Sequence, residues 1–545
     1  MKKFLSFMFI SLVVFAIVGC RADKYDPLDT NITGDVSVML WSGDGQYQED
    51  LGHKNLTRDD LTGQNNATIY AVAKAFNQIY PNVTINVYAK SSGPDGGGVS
   101  WDQERENFKE TYGKYPDVWA STDLVGDVTK GVAADLSVFS NDPMYQSFNP
   151  GVMGMMNYYG VQAGLPQFLQ PWGVYVNKSL AEQYNLDVPD PDWTIQEYTN
   201  FISQADMTNF YGDMDVNMSF IFTGTTTLAQ QLYNHDGTGD FLNMNSNEVR
   251  SLLSFVPVWA QYAVWPQNDL GRIPSNVMND NWWWGFKFFM ENKILTLAGD
   301  PWMMGDGANP NPDHWGRIKA TDWDIYPRPS TSYQPNTVGV VLDPLAVFNY
   351  CALDENPACN EAEMTKLKVA YTFAAFWVGD TRAWQARADQ EFTDGAPGNY
   401  KSSMNDSFPL VTGKAFADQM EIWYSVPIHE RFADPVVMPG FHKVLEIWEA
   451  GGVYDISDKA YPYFFDDAGT KRSNVYEWNN IWNPAVLTGN PDATSPRRTD
   501  ANWLDTVLSK LAGWNTTMNQ RFAGSVNGLK EGLKEFYGYT DADFE

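Results

Sequence analysis

The sequence is poor in basic residues, histidine and cysteine, and after residue 18 it has no long apolar run. Its 37 Lys and Arg face 67 Asp and Glu, for a formal net charge of −30. A surface of that sign repels a phosphate backbone, so nucleic acid is excluded as a partner. The simplest role of the acidity is to keep a surface protein soluble. Five histidines, at 53, 235, 314, 429 and 442, show no His-Glu-x-x-His spacing. Residues 309–313 (NPNPD) carry alternate oxygen side chains but lack the glycine and distal glutamate of a calcium loop. No metal or other cofactor is expected. Residues 93–98 (GPDGGG) lack the Gly-Lys-Ser/Thr ending of a phosphate loop, and nucleophile-elbow and triad spacings are missing. There is no internal repeat, heptad or low-complexity tract.

What is abundant is core-forming material. Hydrophobic residues make up 43% and aromatics 15%, with 21 Trp, which excludes a disordered chain. A length of 545 residues leaves room for two or more lobes, each with its own core.

The amino terminus carries an address. Two lysines precede an apolar run over residues 4–18, followed by Gly19 and Cys20. The run is shorter than the roughly 18–20 residues of a membrane span, the competing reading, and the next twenty positions hold no second one. The segment Ile17-Val18-Gly19-Cys20 resembles a lipobox, which implies a signal peptide over 1–19 and lipidation of Cys20. Residues 20–36 then form the lipidated cysteine and a polar tether, and the chain works outside the cytoplasm, anchored to a membrane. Removing the signal leaves 526 residues (545 minus 19) and a charge of −32 (−30 minus the two of Lys2 and Lys3). The other two cysteines, Cys351 and Cys359, form an even remainder in a disulfide-permissive compartment. Seven residues, ALDENPA, separate them in a turn-prone loop that a short bridge would close; two free buried thiols are the alternative.

Structure is expected from Ser37. Residues 37–42 read as a buried strand, 66–80 as a helix with Ile69, Val72, Phe76 and Ile79 on one face, and 82–89 as a strand alternating through Val83, Ile85 and Val87. A polar helix over 101–115 and a short strand over 116–121 complete a βαβαβ order, which predicts a parallel or mixed sheet covered by helices. A strand over 173–177 runs into a helix capped by Ser179 with Glu182, and a second box, Thr194 with Glu197, opens a helix to about Ala205. Asn245 with Glu248 begins a further helix that Pro257 interrupts or kinks, and Met364 to Trp377 is a strongly apolar helix with Asp380 capping the next.

This succession resembles the extracellular solute-binding proteins of ABC importers, in the group that includes the sugar and maltodextrin receptors. The resemblance rests on VMLWSGDG (38–45), YPDVWASTDLVGDVTKGVAADLSVF (115–139), Leu165-Pro166 followed by VYVNK (174–178), and Trp193 with its capped helix. GDPW (299–302), WDIYPRP (323–329) and SFPLV (407–411) then recur in order, so the resemblance spans roughly residues 37–411. It implies an α/β fold of two discontinuous lobes, periplasmic-binding-protein-like, joined by crossover hinges near residues 170–173, 332–338 and 410–414. Lobe one would be 37–170 plus 338–411, and lobe two 173–332 plus 415–545, with solute enclosed between them. The chain is long for that family, and the added length must sit around the lobes.

Sugar recognition needs aromatic faces for pyranose C–H surfaces, and carboxylates, amides or guanidinium groups for hydroxyls. Trp41 and Asp44 follow the first strand, Asp123 follows the strand at Val118, and Trp172 lies at the first crossover. Asp300 and Trp302 belong to the GDPW segment, where Trp302 matches the family's frequent stacking tryptophan. Trp384 and Arg387, three apart on one helical face, offer a stack and a donor, though packing within a lobe explains them as well. In the same way Asp44 and Asp123 suit turns or helix caps. Trp282, Trp283 and Trp284 point in different directions, so at most one or two could face one cleft. The implied function is a lipid-anchored, monomeric receptor that binds a carbohydrate and hands it to ABC permease subunits, without covalent chemistry. The alternative is a surface glycoside hydrolase, which needs two carboxylates about 5–9.5 Å apart, such as Asp44 with Asp300 or Asp306.

Overall fold

A computed structural model describes residues 27–40, 64–89, 101–167, 171–225, 243–280, 286–298, 322–354, 359–389, 391–392, 400–401, 408–455, 459–460, 464–465, 471–472 and 497–544. Along the chain, the elements that build the lobes begin with β1 (Gly34–Leu40), α1 (Gln64–Asn77), β2 (Val83–Ala89), α2 (Trp101–Tyr112), β3 (Val118–Ala120) and α3 (Leu124–Thr129). Next come β4 (Leu165–Gln167), β5 (Pro171–Trp172), β6 (Val174–Val176), α4 (Lys178–Tyr184) and α5 (Ile195–Ile202). After these lie α6 (Asn247–Leu253), α7 (Val256–Tyr262), β7 (Thr296–Ala298), β8 (Asp324–Tyr326), β9 (Val338–Val340) and β10 (Asp343–Val347). The remainder comprises α8 (Glu361–Gly379), α9 (Thr381–Ala388), α10 (Gly413–Ser425), α11 (Pro439–Glu449), β11 (Val453–Asp455) and α12 (Trp503–Tyr537).

The first core forms around a mixed five-stranded sheet, in the order β2-β1-β3-β10-β4. β1 runs parallel to both neighbours, with Leu40 opposite Ala89 and Val38 opposite Val118. β10 is antiparallel, setting Leu345 against Ala120 and Asp343 against Gln167. Val83, Ile85 and Val87 are buried while the residues between them are half-buried, the period-2 pattern of a strand covered on one face. α1 closes that face with Ile69, Val72 and Phe76, and α8 contributes Leu367, Tyr371, Ala374 and Trp377 to the same core.

A second, smaller sheet has the order β8-β6-β7, all antiparallel, with Tyr175 opposite both Ile325 and Leu297. Its helices bury Leu180, Trp193, Tyr198, Phe201, Leu252 and Trp259 in a separate core. The Thr194–Glu197 capping box is formed in full. Asn177, rather than Ser179, caps α4, because its side-chain oxygen reaches the Leu180 N–H at 2.9 Å. Pro257 separates α6 from α7, where it occupies the first turn and has no helical N–H to lose.

A third sheet has the order β11-β9-β5, in which Gly339 faces Trp172 and Val338 faces Val453, and Val338, Val340 and Val453 are buried in the first core. Where a crossover is expected at 410–414, Asn149 N donates to Leu410 O at 2.8 Å, Thr412 N to Ser147 O at 2.7 Å, and α10 then buries Phe416, Met420 and Trp423 in the first core. The carboxy-terminal helix enters both cores. Trp503, Val507 and Leu511 of α12 join the second core, whereas Leu529 and Leu533 join the first.

Candidate functional site

The site follows from where strands end. The chain leaves β1 to one side for β2 and returns on the other side as β3, so the order of the sheet reverses between β1 and β3. In such sheets the crevice for a ligand opens outside the carboxyl ends of the strands at the reversal. Leu40, Ala89, Ala120 and Gln167 all lie at that edge, together with Asp343, the first residue of antiparallel β10. The same edge faces the third sheet, since Gln167 lies four residues before β5 and Asp343 three after the end of β9. In the second sheet Ala298 pairs with Val174, two residues after Trp172 of β5, so β7 also ends toward the third sheet.

The strongest sequence candidates continue directly from these ends. Trp41 and Asp44 follow β1, and Asp300 and Trp302 follow β7; all four lie outside the described residues, as do Cys20 and Asp306. Trp172 is half-buried on β5, an edge strand of the third sheet.

Asp123 is 3% exposed and acts as the amino-terminal cap of α3, accepting the Gly126 N–H at 2.7 Å. Beside it, Leu124 N donates to Lys459 O at 2.9 Å, and the Lys459 ammonium pairs with the Asp343 carboxylate. The chain beyond β11 therefore returns to the ligand edge of the first sheet and touches both β10 and the start of α3. Sequence reading missed Lys459, which has neither a motif nor a periodic neighbour to mark it. Below this edge Asp127 is fully buried, paired with Arg105 and accepting from Trp119 Nε1 at 3.1 Å and Ser121 Oγ at 2.7 Å.

Trp384 and Arg387 do form a stack with a donor, and it faces the interior of lobe one. The Arg387 guanidinium lies 4.5 Å from the Trp377 ring centre and 5.2 Å from that of Trp384, and it donates to the Trp377 carbonyl. Burial lowers Arg387 to about 9. Trp377 Nε1 in turn donates to Gln167 Oε1 at 2.9 Å, and the buried Gln167 Nε2 at the ligand edge has no acceptor among the described residues. Cys351 and Cys359 are joined by a disulfide with a Cα–Cα distance of 4.4 Å. Among the described residues no cluster of three His, Cys, Asp or Glu side chains could hold a metal ion, and no helix is long and apolar enough to cross a membrane.

In lobe two the fully buried Asp213 carboxylate accepts from Thr296 Oγ1 at 2.6 Å, Tyr198 OH at 3.0 Å and Asn217 Nδ2 at 3.0 Å. Desolvation outweighs these donors and raises Asp213 to about 7. Asp324 is also raised by burial, although Lys178 stands 3.1 Å away.

No protein-family model matches the chain, and no curated protein matches it in sequence. Its fold, by contrast, is found among solved structures. A sugar transporter from Rhizobium etli in an open conformation superposes with a TM-score of 0.51 at 17% identity, over 93% of this chain and 100% of that one. An extracellular solute-binding protein of family 1 from Alicyclobacillus acidocaldarius does so with a TM-score of 0.50 at 11% identity, over 93% and 100%. The chain therefore has the two-lobed α/β fold of solute-binding proteins.

Proposed function

We propose that this chain is a carbohydrate receptor of an ABC importer, anchored outside the cytoplasm by lipid on Cys20. The observation that carries the reading is the convergence of two sheets: β1, β3 and β4 of one and β7 of the other end toward the third sheet, whose strands β5, β9 and β11 would connect the lobes. Aromatic and acidic residues follow those ends in sequence, as Trp41 and Asp44 do β1, and Asp300 and Trp302 do β7. Such an arrangement supports ring stacking with hydroxyl recognition in an interlobe cleft. Trp172 on β5 and the Gln167 amide donor, which has no acceptor among the described residues, would extend the same surface. Lobe one then comprises 37–170 with the segment from 341 to about 433, and lobe two is built on 173–332.

On this reading the receptor is a monomer that closes on its sugar, performs no covalent chemistry, needs no cofactor, and presents the closed form to the permease subunits. Calorimetry against mono- and oligosaccharides is expected to show binding without release of reducing ends. Turnover of a polysaccharide with no measurable binding would replace the receptor by a glycoside hydrolase. For the anchor, Cys20→Ser should move the protein from the membrane to the soluble fraction; retention of the variant in the membrane would refute lipidation at that cysteine.

A further inference from the structure

α12 is one continuous helix of 35 residues, about 52 Å long at 1.5 Å per residue, and it belongs to both lobes. Its first two thirds are fixed to lobe two. Trp503, Val507, Leu511, Phe522 and Val526 are buried there, Met244 N donates to Asn515 Oδ1 at 2.8 Å, and just ahead of the helix Arg498 pairs with Asp215 at 2.7 Å. Its last turns are fixed to lobe one. Leu529 and Leu533 enter that core, Tyr537 OH donates to Ala133 O at 2.5 Å, and Tyr539 OH to Tyr159 O at 2.8 Å. The handover takes place between Val526 and Leu529.

A helix pinned at both ends is a stiff strut. Rotation of the lobes about the connecting strands would force it to bend or to release one lobe. Gly528 sits inside the handover, and Gly524 lies one turn earlier. Glycine inside a helix costs about 1 kcal/mol relative to alanine, so an unpacked one needs a reason. Gly532 has one: a Cβ there would come within 2.5–2.9 Å of the Thr129 backbone, so the glycine lets α12 rest directly on α3. Gly528 has no such contact, because a Cβ there would meet nothing within 4 Å.

We propose that Gly528 is a flexural pivot, placed where α12 passes from one lobe to the other so that the lobes can rotate while the helix keeps both attachments. The device concerns lobe motion in the free protein and does not depend on what the cleft binds. Gly513 provides the internal control: a Cβ there also meets nothing within 4 Å, but it lies in the part of the helix fixed to lobe two.

The test uses the full chain carrying Cys20→Ser, with spin labels on the exposed positions Glu110→Cys of α2 and Glu182→Cys of α4, one per lobe. Interlobe distance distributions are recorded without ligand. With Gly528→Ala, the population of minor lobe separations should fall about fivefold, the factor that corresponds to about 1 kcal/mol of helix preference. Amide exchange of residues 525–530 should slow by a similar factor, and the melting temperature should rise. Gly513→Ala should slow exchange in its own turn and leave the distance distribution unchanged. An unchanged distribution in Gly528→Ala, or an equal narrowing in Gly513→Ala, overturns the pivot. Sugar added afterwards tests the receptor reading separately, since the pivot is decided before any ligand is present.

Discussion

Thr296 donates a 2.6 Å hydrogen bond to the carboxylate of Asp213, joining β7 to the neighbouring extended segment deep in lobe two. Tyr198 and Asn217 donate to the same carboxylate oxygen. Burial nevertheless raises Asp213 from 3.8 to about 7. The folded state therefore holds a proton that the unfolded chain gives up near 3.8, and the sign of the linkage follows. Asp213 contributes stability that is full below about pH 3.8 and is lost as pH rises toward about 7. Asp213→Asn should flatten the dependence of melting temperature on pH between about 4 and 7 relative to wild type. Parallel curves for the two proteins across that range would show that the carboxyl is ionised in the fold.

Asp324 ties β8 to the start of α11. Its two oxygens accept from Gly440 N at 2.8 Å and Phe441 N at 3.1 Å, and Lys178 stands 3.1 Å away. Asp324→Ala strips two buried N–H groups of their acceptor and leaves Lys178 with the Val437 carbonyl but no carboxylate. Truncating one member of such a buried set costs about 3–5 kcal/mol, and urea denaturation monitored by tryptophan fluorescence should register a loss of that order. A loss below about 1 kcal/mol would mean that water replaces the carboxylate.

The parts of the fold that sequence made visible are those where periodicity and caps act locally. Val83, Ile85 and Val87 alternate because one face of β2 is covered, and Thr194 with Glu197 closes a box within four residues. What escaped depends on contacts distant in sequence. Nothing in Val453-Tyr454-Asp455 indicates that it pairs with Val338-Gly339-Val340 of β9. α12 is interrupted by Gly513, Gly524, Gly528 and Gly532, which weaken its helical pattern; two cores, not propensity, hold it. At the site, Trp384 and Arg387 share a helical face as their spacing implies, but only the fold shows that this face turns inward.

The disulfide closes a short loop. Cys351 and Cys359 are eight positions apart, and a cross-link of that span removes about 2–3 kcal/mol of unfolded-chain entropy. Cys351→Ser with Cys359→Ser should lower stability by about that amount and leave sugar affinity unchanged, because the bridge lies at the start of the segment leading to α8 and not on the ligand edge. Equal melting temperatures for the oxidised and double-serine proteins would show that the bridge does not constrain the unfolded chain.

Two tryptophans with different assigned roles separate binding from packing. Trp384 is 2% exposed, its ring 5.2 Å from the Arg387 guanidinium inside lobe one. Trp384→Ala should cost about 3–5 kcal/mol of stability by leaving a large cavity, with any effect on sugar binding arising through unfolding. Trp302, which follows Gly299-Asp300-Pro301 after β7, is the proposed ring-stacking residue. Trp302→Ala should weaken sugar binding by about 1–3 kcal/mol, the worth of the lost contact area, while the melting temperature stays close to wild type. Calorimetry on the folded variants distinguishes the two. An affinity for sugar in Trp302→Ala equal to that of wild type removes this residue from the site, and the stacking surface must then be sought at Trp41 or Trp172.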